Sequence, residues 1–238
     1  MLVTTLAAPS PALADAGDLD PTFGGGRVTT NLGSPDDGAR SVVVQPDGRV
    51  VVVGDTRRAR TGGDFAMIRY LTDGSLDPSF SGDGKRTTSF SPVYDAARDV
   101  ALQPNGKIVV VGTAAMETRF AVARYLPDGS LDPSFHGDGK RTLNLSPSYD
   151  DAWAVAIQPD RRIVVAGYTG WGNFALARFM PNGSLDPSFG GDGRVVTSFG
   201  PGWDWAYDVA LQANGKIVAV GRTDLGNGNF AVARYRRG

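Results

Sequence analysis

The feature that most constrains the fold is a sequence unit that occurs four times. The motif Leu-Asp-Pro-Thr/Ser-Phe begins at Leu19 and returns at Leu76, Leu131 and Leu185, at steps of 57, 55 and 54 residues. Such periods are typical of repeat proteins, in which each unit adds one supersecondary element to a continuous core. We therefore predict one repeat domain over residues 17–238. Its units are residues 17–75, 76–130, 131–184 and 185–238.

Each unit predicts four short strands and no helix. A polar outer strand, as at residues 194–198, precedes a strand of pattern Ala-x-x-Val-Ala-Leu-Gln, as at 97–103. The third strand is an unbroken apolar run, as at 108–111, which is typical of a strand covered on both faces. The fourth has the pattern Phe-Ala-x-x-Arg-aromatic, as at 120–125. This order predicts an all-β propeller of four blades, each with four antiparallel strands.

The two ends of the repeat domain complement each other. An outer strand at residues 27–30 comes before any complete blade, and the last unit ends on a fourth strand at 230–235. We expect residues 27–30 to close the ring as the outer strand of the last blade, because closure leaves no free sheet edge. The alternative is a homodimer that exchanges these strands and forms an eight-bladed ring. The monomer is favoured and the homodimer stays open.

The N-terminal segment, residues 1–16, has the character of an export signal. A short apolar stretch is followed by prolines and small residues that end in Ala14-Asp15-Ala16, a pattern typical of cleavage before Gly17. We therefore expect a secreted or extracellular protein. No other stretch approaches the roughly 18 apolar residues that a membrane helix needs, so membrane insertion is not expected.

The repeats also resemble a known family. The blocks VALQPNGKIVVVG at 100–112, FAVARYLPDGS at 120–130 and LDPSFHGDG at 131–139 follow one another as in the bacterial delta-60 repeat family. The first unit departs from this pattern, with Gly24-Gly25-Gly26 in place of Gly-Asp-Gly. The resemblance implies a propeller-type fold and export. It implies no substrate, cofactor or catalytic residue, since the family is similar to uncharacterised surface and secreted proteins.

Composition excludes several classes of function. The formal charge of −1 gives no field that would attract nucleic acid, and the absence of cysteine excludes disulfides, thiolate metal sites and a cysteine nucleophile. One histidine, His136, disfavours zinc and is expected to be a solvated loop residue. No cofactor and no metal are predicted. The Gly-Asp-Gly elements at 82–84, 137–139 and 191–193 are interpreted as turns, because they offer fewer oxygens than the six to eight that calcium takes.

Charged residues that occur in every unit are expected to be structural. A protein rarely needs four identical active sites, whereas every blade needs its buried polar groups paired. We expect an aspartate–arginine ion pair in each blade, formed between two recurring sets. The aspartates are Asp37, Asp95, Asp150 and Asp204, and the arginines are Arg69, Arg124, Arg178 and Arg234.

One end of the propeller is expected to vary between blades and to carry function. It collects the loops between third and fourth strands and the entries into the second strands, where aromatic residues concentrate. The predicted ligand-binding residues are Tyr149, Trp153, Trp171, Trp203, Trp205 and Tyr207. Flat aromatic faces favour sugar rings or a protein partner, and the competing interpretation is that they fill the mouth of a narrow ring.

The functional prediction follows from this end. We expect a non-enzymatic binding module of the cell surface, with a polysaccharide as the favoured ligand and a protein-interaction scaffold as the alternative. No catalytic residue is predicted. An enzyme, the third possibility, would need carboxylates unique to one blade, and Glu117, Asp151 and Asp208 are the available examples.

Overall fold

The computed structural model describes residues 16–58, 62–170, 172–226 and 228–237. Residues 1–15 of the predicted export signal lie outside this part of the chain, and so does Trp171. The described residues form an all-β, propeller-like structure of four antiparallel sheets. No helix within them is long and apolar enough to cross a membrane.

The four sheets follow the sequence repeat. The first contains β1 (Asp36–Val44), β2 (Val50–Arg58), β3 (Gly62–Tyr70) and β4 (Lys85–Thr88). The second contains β5 (Ala96–Leu102), β6 (Ile108–Ala114), β7 (Arg119–Tyr125) and β8 (Lys140–Leu143). The third contains β9 (Asp150–Ile157), β10 (Ile163–Thr169), β11 (Asn173–Phe179) and β12 (Arg194–Thr197). The fourth contains β13 (Asp204–Leu211), β14 (Ile217–Thr223) and β15 (Asn229–Tyr235).

The outer strand of each complete sheet is supplied by the following sequence unit. Between β3 and β4 the chain runs through the Leu-Asp-Pro-Ser-Phe motif, and Leu76 forms an isolated bridge to Tyr70. The same bridge joins Leu131 to Tyr125. Each link therefore packs against the fourth-pattern strand that precedes it. The chain then runs back along that strand and forms the outer strand of the same sheet.

The core lies between successive sheets. Val51 and Phe65 of the first sheet pack against Ile108 and Val110 of the second, and all four are buried. Equivalent clusters join the second sheet to the third and the third to the fourth. Every residue of β6 is buried, as expected for a strand covered on both faces. Burial of these apolar surfaces is what holds neighbouring sheets together.

The fourth sheet differs from the sequence-based prediction. It has three strands, and residues 27–30 form no strand, so the predicted ring closure is not formed by the described residues. The segment lies instead on the free face of the first sheet, where the hydroxyls of Thr30 and Tyr70 are 2.7 Å apart. Thr88 makes the same contact with Tyr125 in the next sheet, at 2.8 Å. Residues 27–30 thus occupy the place of an outer strand from a preceding sheet.

Candidate functional site

The connections that vary between repeats lie together at one end of the sheets, here called the loop end. Backbone hydrogen bonds tie the β6–β7 connection of the second sheet to the start of the third, with Asp150 N 2.8 Å from Glu117 O. Asp204 N donates to Gly172 O at the next junction, also at 2.8 Å. The loop end is therefore a continuous surface across neighbouring sheets. The opposite end, here called the link end, holds the hairpin turns and the links between repeats.

Each complete sheet buries one arginine–aspartate pair at the link end. In the second sheet, Arg124 Nε donates to Asp132 Oδ2 at 2.6 Å, and Ser134 donates from its N and Oγ to Asp132 Oδ1 at 3.0 and 2.7 Å. Arg124 Nη1 reaches the carbonyl of Pro181 in the following repeat. Its guanidinium carbon lies 4.9 Å from the ring centroid of Phe135. Arg69–Asp77 and Arg178–Asp186 repeat this arrangement.

This arrangement corrects the sequence-based pairing. One ion pair per complete sheet was the right expectation, but the partner is the aspartate of the Leu-Asp-Pro motif. Asp95, of the recurring set proposed instead, accepts from the backbone N of Phe90, Ser91 and Ala115 and from the Ser91 hydroxyl. Asp95 therefore fixes the loop that enters β5. Links bring the motif aspartate back beside the arginine, which the spacing along the chain does not reveal.

The Gly-Asp-Gly elements use their aspartates within turns. Asp83, Asp138 and Asp192 each accept from the backbone N two residues later, at 2.9–3.0 Å. Among the described residues, no group of three or more histidine, cysteine, aspartate or glutamate side chains could hold a metal ion.

Among the described residues, two clusters of charged residues lie at the loop end. One joins Arg40, Asp55 and Arg57 on the first sheet, and the other lies between the second and third sheets. Arg98, from β5, directs Nη2 at two carboxylates, 3.1 Å from Asp151 Oδ2 and 3.2 Å from Glu117 Oε1. Asp151 lies on β9, and Glu117 lies in the β6–β7 connection. The Asp151 side chain is 1% exposed and that of Glu117 is 37% exposed. One arginine thus joins a buried carboxylate to a carboxylate that faces solvent.

The environment of Asp151 favours its neutral form. Burial raises its pKa, and the nearby charge of Glu117 raises it further, so that it reaches about 6 although Arg98 opposes the rise. The neighbouring Arg98 and Trp153 side chains oppose the rise but do not cancel it. The desolvated carboxylate is therefore less stable in its ionised form than a carboxylate in water.

Aromatic side chains surround this cluster. The Arg98 guanidinium carbon lies 4.9 Å from the centroid of the Trp153 ring, and Trp153 meets Tyr207 edge to face at 5.5 Å. Tyr168 is the register partner of Asp151 in the β9–β10 pairing. Burial, followed by the charges of Asp151 and Glu117, raises the pKa of the Tyr168 hydroxyl, which therefore stays protonated.

The predicted ligand-binding residues fall into two groups. Trp153 and Tyr207 form the pair beside Arg98, whereas Trp203 and Trp205 stack on each other at 5.7 Å with an interplanar angle of 21°. Arg222 lies over the second tryptophan of that stack, 5.5 Å from the ring centroid. Tyr149, Trp203 and Tyr207 are exposed.

Sequence reasoning named both carboxylates, Glu117 and Asp151, but missed the arginine that joins them. Glu117 and Asp151 come from neighbouring sheets rather than from one blade, and Asp208 is outside the cluster, accepting from the N of Val209. Arg98 was missed. Its signal was available, because Arg40, Arg98, Trp153 and Tyr207 occupy the same place in successive repeats, and the residue type there changes from arginine to an aromatic.

The backbone that presents Glu117 is unusual. Ala115, Met116 and Glu117 have φ angles of 56°, 57° and 64°, in the left-handed region that non-glycine residues rarely adopt. Met116 N donates to Tyr94 O at 2.9 Å, and this bond holds the turn in place. Backbone strain of this kind concentrates at functional sites, where surrounding contacts maintain it.

Comparison with known proteins identifies the repeat. A family model described as "Domain of unknown function (DUF5122) beta-propeller" matches residues 45–80, 103–135, 158–189 and 212–237. The match confirms a propeller-type repeat of unknown function, and the delta-60 name stays a resemblance. No curated protein matches the sequence.

Solved structures are similar in fold at low sequence identity. A protein of unknown function from Bacteroides caccae is 13% identical, with a TM-score of 0.48, 84% of this chain covered and 61% of that one. Virginiamycin B lyase from Staphylococcus aureus is 12% identical, with a TM-score of 0.44 and coverages of 84% and 57%. Arabinanase from Bacillus subtilis is 12% identical, with a TM-score of 0.42 and coverages of 83% and 74%. The chain spans about three fifths of the first two proteins.

These structures correct the functional prediction. The similar proteins are mostly enzymes, including arabinanases, a glycoside hydrolase and a lyase, which contradicts the prediction of a non-enzymatic glycan-binding module or scaffold. The likeness is one of fold, and it does not test whether this chain catalyses a reaction.

Proposed function

Because the chain belongs to the DUF5122 beta-propeller family, a domain of unknown function, we propose from its own residues that it is an acid–base enzyme with its active site at the loop end. The observation that carries this proposal is the convergence of Glu117 and Asp151 on one nitrogen of Arg98. Glu117 is the group proposed to exchange a proton with the substrate, since its side chain reaches solvent.

Arg98 and Asp151 are proposed as positioning residues. Arg98 is 10% exposed, and Asp151 lies behind it, so neither carries the contact with substrate. When Asp151 is protonated, the positive charge of Arg98 acts on Glu117 alone, and when Asp151 ionises the two carboxylates share it. The proton on Asp151 therefore sets how much of the Arg98 charge is left to hold the Glu117 side chain in position. Two carboxylates in unlike environments are a common basis for acid–base catalysis near neutral pH.

The aromatic residues suggest the shape of the substrate. Tyr149 and Tyr207 are exposed at the same end, and Tyr207 packs on Trp153 beside the charged cluster. Exposed rings next to a proton-transfer group suit a polar substrate with a flat or ring-shaped part. The reaction class proposed is proton-assisted cleavage of a carbon–oxygen bond, by hydrolysis or elimination.

The test uses the wild type, Glu117→Gln and Asp151→Asn, with Asp208→Asn as the matched control at an exposed aspartate outside the cluster. Activity is measured from pH 4 to 9 on 4-nitrophenyl glycosides, 4-nitrophenyl esters and uronate-containing oligosaccharides. We expect Glu117→Gln to abolish turnover and Asp208→Asn to leave it unchanged. In Asp151→Asn, the inflection of kcat/KM near pH 6 should disappear.

A spectroscopic measurement accompanies the assay. Carbon-detected NMR of labelled aspartate and glutamate side chains should show a carboxyl titrating near pH 6 that is absent from Asp151→Asn. The Glu117 resonance should respond to the same titration. Turnover that survives Glu117→Gln, or an Asp151 carboxyl that titrates in its ordinary range, contradicts the proposed roles.

We also propose that the four sheets are blades of a closed ring, in which residues 27–30, from the same chain or from a second copy, act as the outer strand beside β15. Support comes from the position of this segment on the first sheet, where it matches that of β4 on the second. Export through residues 1–16 stays a prediction, and an N-terminus at Gly17 in the secreted protein would support it.

A further inference from the structure

The three interfaces between successive sheets are built alike. The fourth sheet exposes one side of such an interface, and the first sheet exposes the other side. On β3, β7 and β11, a phenylalanine fills the space between sheets, and Phe65, Phe120 and Phe174 are at most 2% exposed. Phe230 holds the same place on β15 and is 100% exposed. Val232, two residues later, is also exposed, although its counterparts in the other sheets are buried. The fourth sheet thus presents an apolar face with no neighbour among the described residues.

The complementary half lies on the first sheet. The valine that receives the preceding sheet is buried in the other three, as Val100, Val155 and Val209. Val42 is its counterpart on β1 and is 59% exposed, with Val44 beside it at 62%. The fourth sheet therefore lacks a neighbour that covers Phe230, and the first sheet exposes the valine that covers this position in the other interfaces.

Residues 19–31 lie on the first sheet in the way that a link and outer strand lie on the next sheet along. Gly24 N donates to Asp73 O at 2.8 Å, as Ser81 N does to Asp128 O. Asn31 O accepts from Lys85 Nζ at 3.1 Å, in the same manner as Ser89 O accepts from Lys140 Nζ. This segment is already arranged as the edge of a sheet whose three inner strands are missing.

The ion-pair partner of Asp20, in this segment, can also be identified. Asp20 corresponds to Asp77 and accepts from Thr22 N and Oγ1 through Oδ1, as Asp77 does from Ser79. In the complete sheets the other oxygen, Oδ2, accepts from the arginine of the fourth-strand pattern. That arginine in the fourth sheet is Arg234, which is exposed on β15.

From these correspondences we infer that the fourth sheet of one chain docks on the first sheet of a second copy, with Arg234 paired to the second copy's Asp20. The occupant is a second copy because the three interfaces within the chain are packed with buried apolar residues while Phe230 and Val42 both stay exposed, so one chain does not bring the two faces together. Docking of a second copy covers the exposed faces of the first and fourth sheets without any change in the packing between sheets of one chain. The inference rests on the ring proposed above and is independent of the proposed catalysis.

The test measures mass by light scattering on the full chain. The wild type should have twice the 25.0 kDa of one chain. Phe230→Asp and Val42→Asp should each reduce it to 25.0 kDa, because each blocks one half of the joint. An equimolar mixture of the two variants should regain the doubled mass, since the unmodified half of each chain can still meet that of the other. Closure within one chain predicts no such recovery.

Thermal unfolding separates the remaining outcomes. A wild type of 25.0 kDa whose melting temperature falls in Phe230→Asp would place the joint within one chain, which overturns the second copy and keeps the ring. A wild type of that mass with an unchanged melting temperature in Phe230→Asp would overturn both. Circular dichroism on the variants checks that each remains folded.

Discussion

The two ends of the sheets bury the same pair of residue types with opposite results. At the link end, hydrogen bonds from Lys107 and Ser134 and the charge of Arg124 hold the pKa of Asp132 below its usual range, against the effect of burial. At the loop end, burial raises the pKa of Asp151 to about 6, although Arg98 lies 3.1 Å away. The difference lies in the hydrogen bonds that each carboxylate receives. A buried carboxylate beside an arginine is therefore held in its ionised form or pushed towards its neutral form according to how many hydrogen bonds its oxygens receive.

The largest effect is expected at the link end. Asp132→Asn leaves the Arg124 charge buried without its counter-ion and should lower the free energy of unfolding by about 3 kcal/mol, as when other buried pairs are broken. Urea unfolding at pH 7 measures the change. Asp138→Asn, at an exposed turn of the same link, should change stability by less than about 0.5 kcal/mol. Equal effects of the two substitutions would contradict the structural role of the pair.

Substitution of the loop-end aspartate, Asp151, should raise the free energy of unfolding at neutral pH rather than lower it. The folded pKa of Asp151 lies above its ordinary value of 3.8, so the wild type loses stability as pH rises from about 4 to about 6. At about 1.4 kcal/mol per pKa unit, the full effect above pH 6 is about 3 kcal/mol. Asp151→Asn should remove most of this dependence and be the more stable protein at pH 7.5. Unfolding followed at several pH values tests this, and a variant less stable than the wild type at pH 7.5 would contradict it.

Smaller changes in stability are expected at turns whose residues have positive φ angles, first at the link end. Arg161 has a φ of 68° in a hairpin turn where the second sheet has Gly106, at 78°. Arg161→Gly relieves the left-handed strain and should raise stability by about 1 kcal/mol or less, because the added freedom of the unfolded chain offsets part of the gain. Gly106→Ala, the matched reverse change, should lower stability by about 1 kcal/mol. Thermal unfolding of both variants checks the signs.

Ala115→Gly tests the corresponding strain at the loop end. It should stabilise the fold by a similar amount, because Ala115 has a φ of 56°. If the turn positions Glu117, this variant should also lower activity on any substrate found, whereas Arg161→Gly should not. A variant that is stabilised and fully active would separate the strain from function.

The strands were predictable from the sequence, because alternation, apolar runs and Asn-Gly turns are local signals. The run at residues 108–111 indicated a strand covered on both faces, and β6 is fully buried. The partner of Arg124 was not predictable from repetition, because it depends on how the link folds back beside β7. Arg98 was missed for a similar reason, since its contact with Asp151 joins residues 53 positions apart on different sheets.

The position of residues 27–30 shows a second limit of sequence reasoning. The repeat identified them as an outer strand, and their contacts with Tyr70 agree with that role. The repeat alone predicted pairing with β15, which the described residues do not form, and it gave no sign that the segment would instead pack on the sheet that follows it in the chain.

The offset between sequence units and sheets has a mechanical consequence. Because β4, β8 and β12 each belong to the unit after the sheet they complete, no sheet can be pulled away intact without stretching a covalent link into its neighbour. A load applied along the chain is shared across two sheets at every junction. Under force, each step of extension should therefore release one sequence unit, that is, the outer strand of one sheet together with the three inner strands of the next. It should not release the four strands of one sheet together.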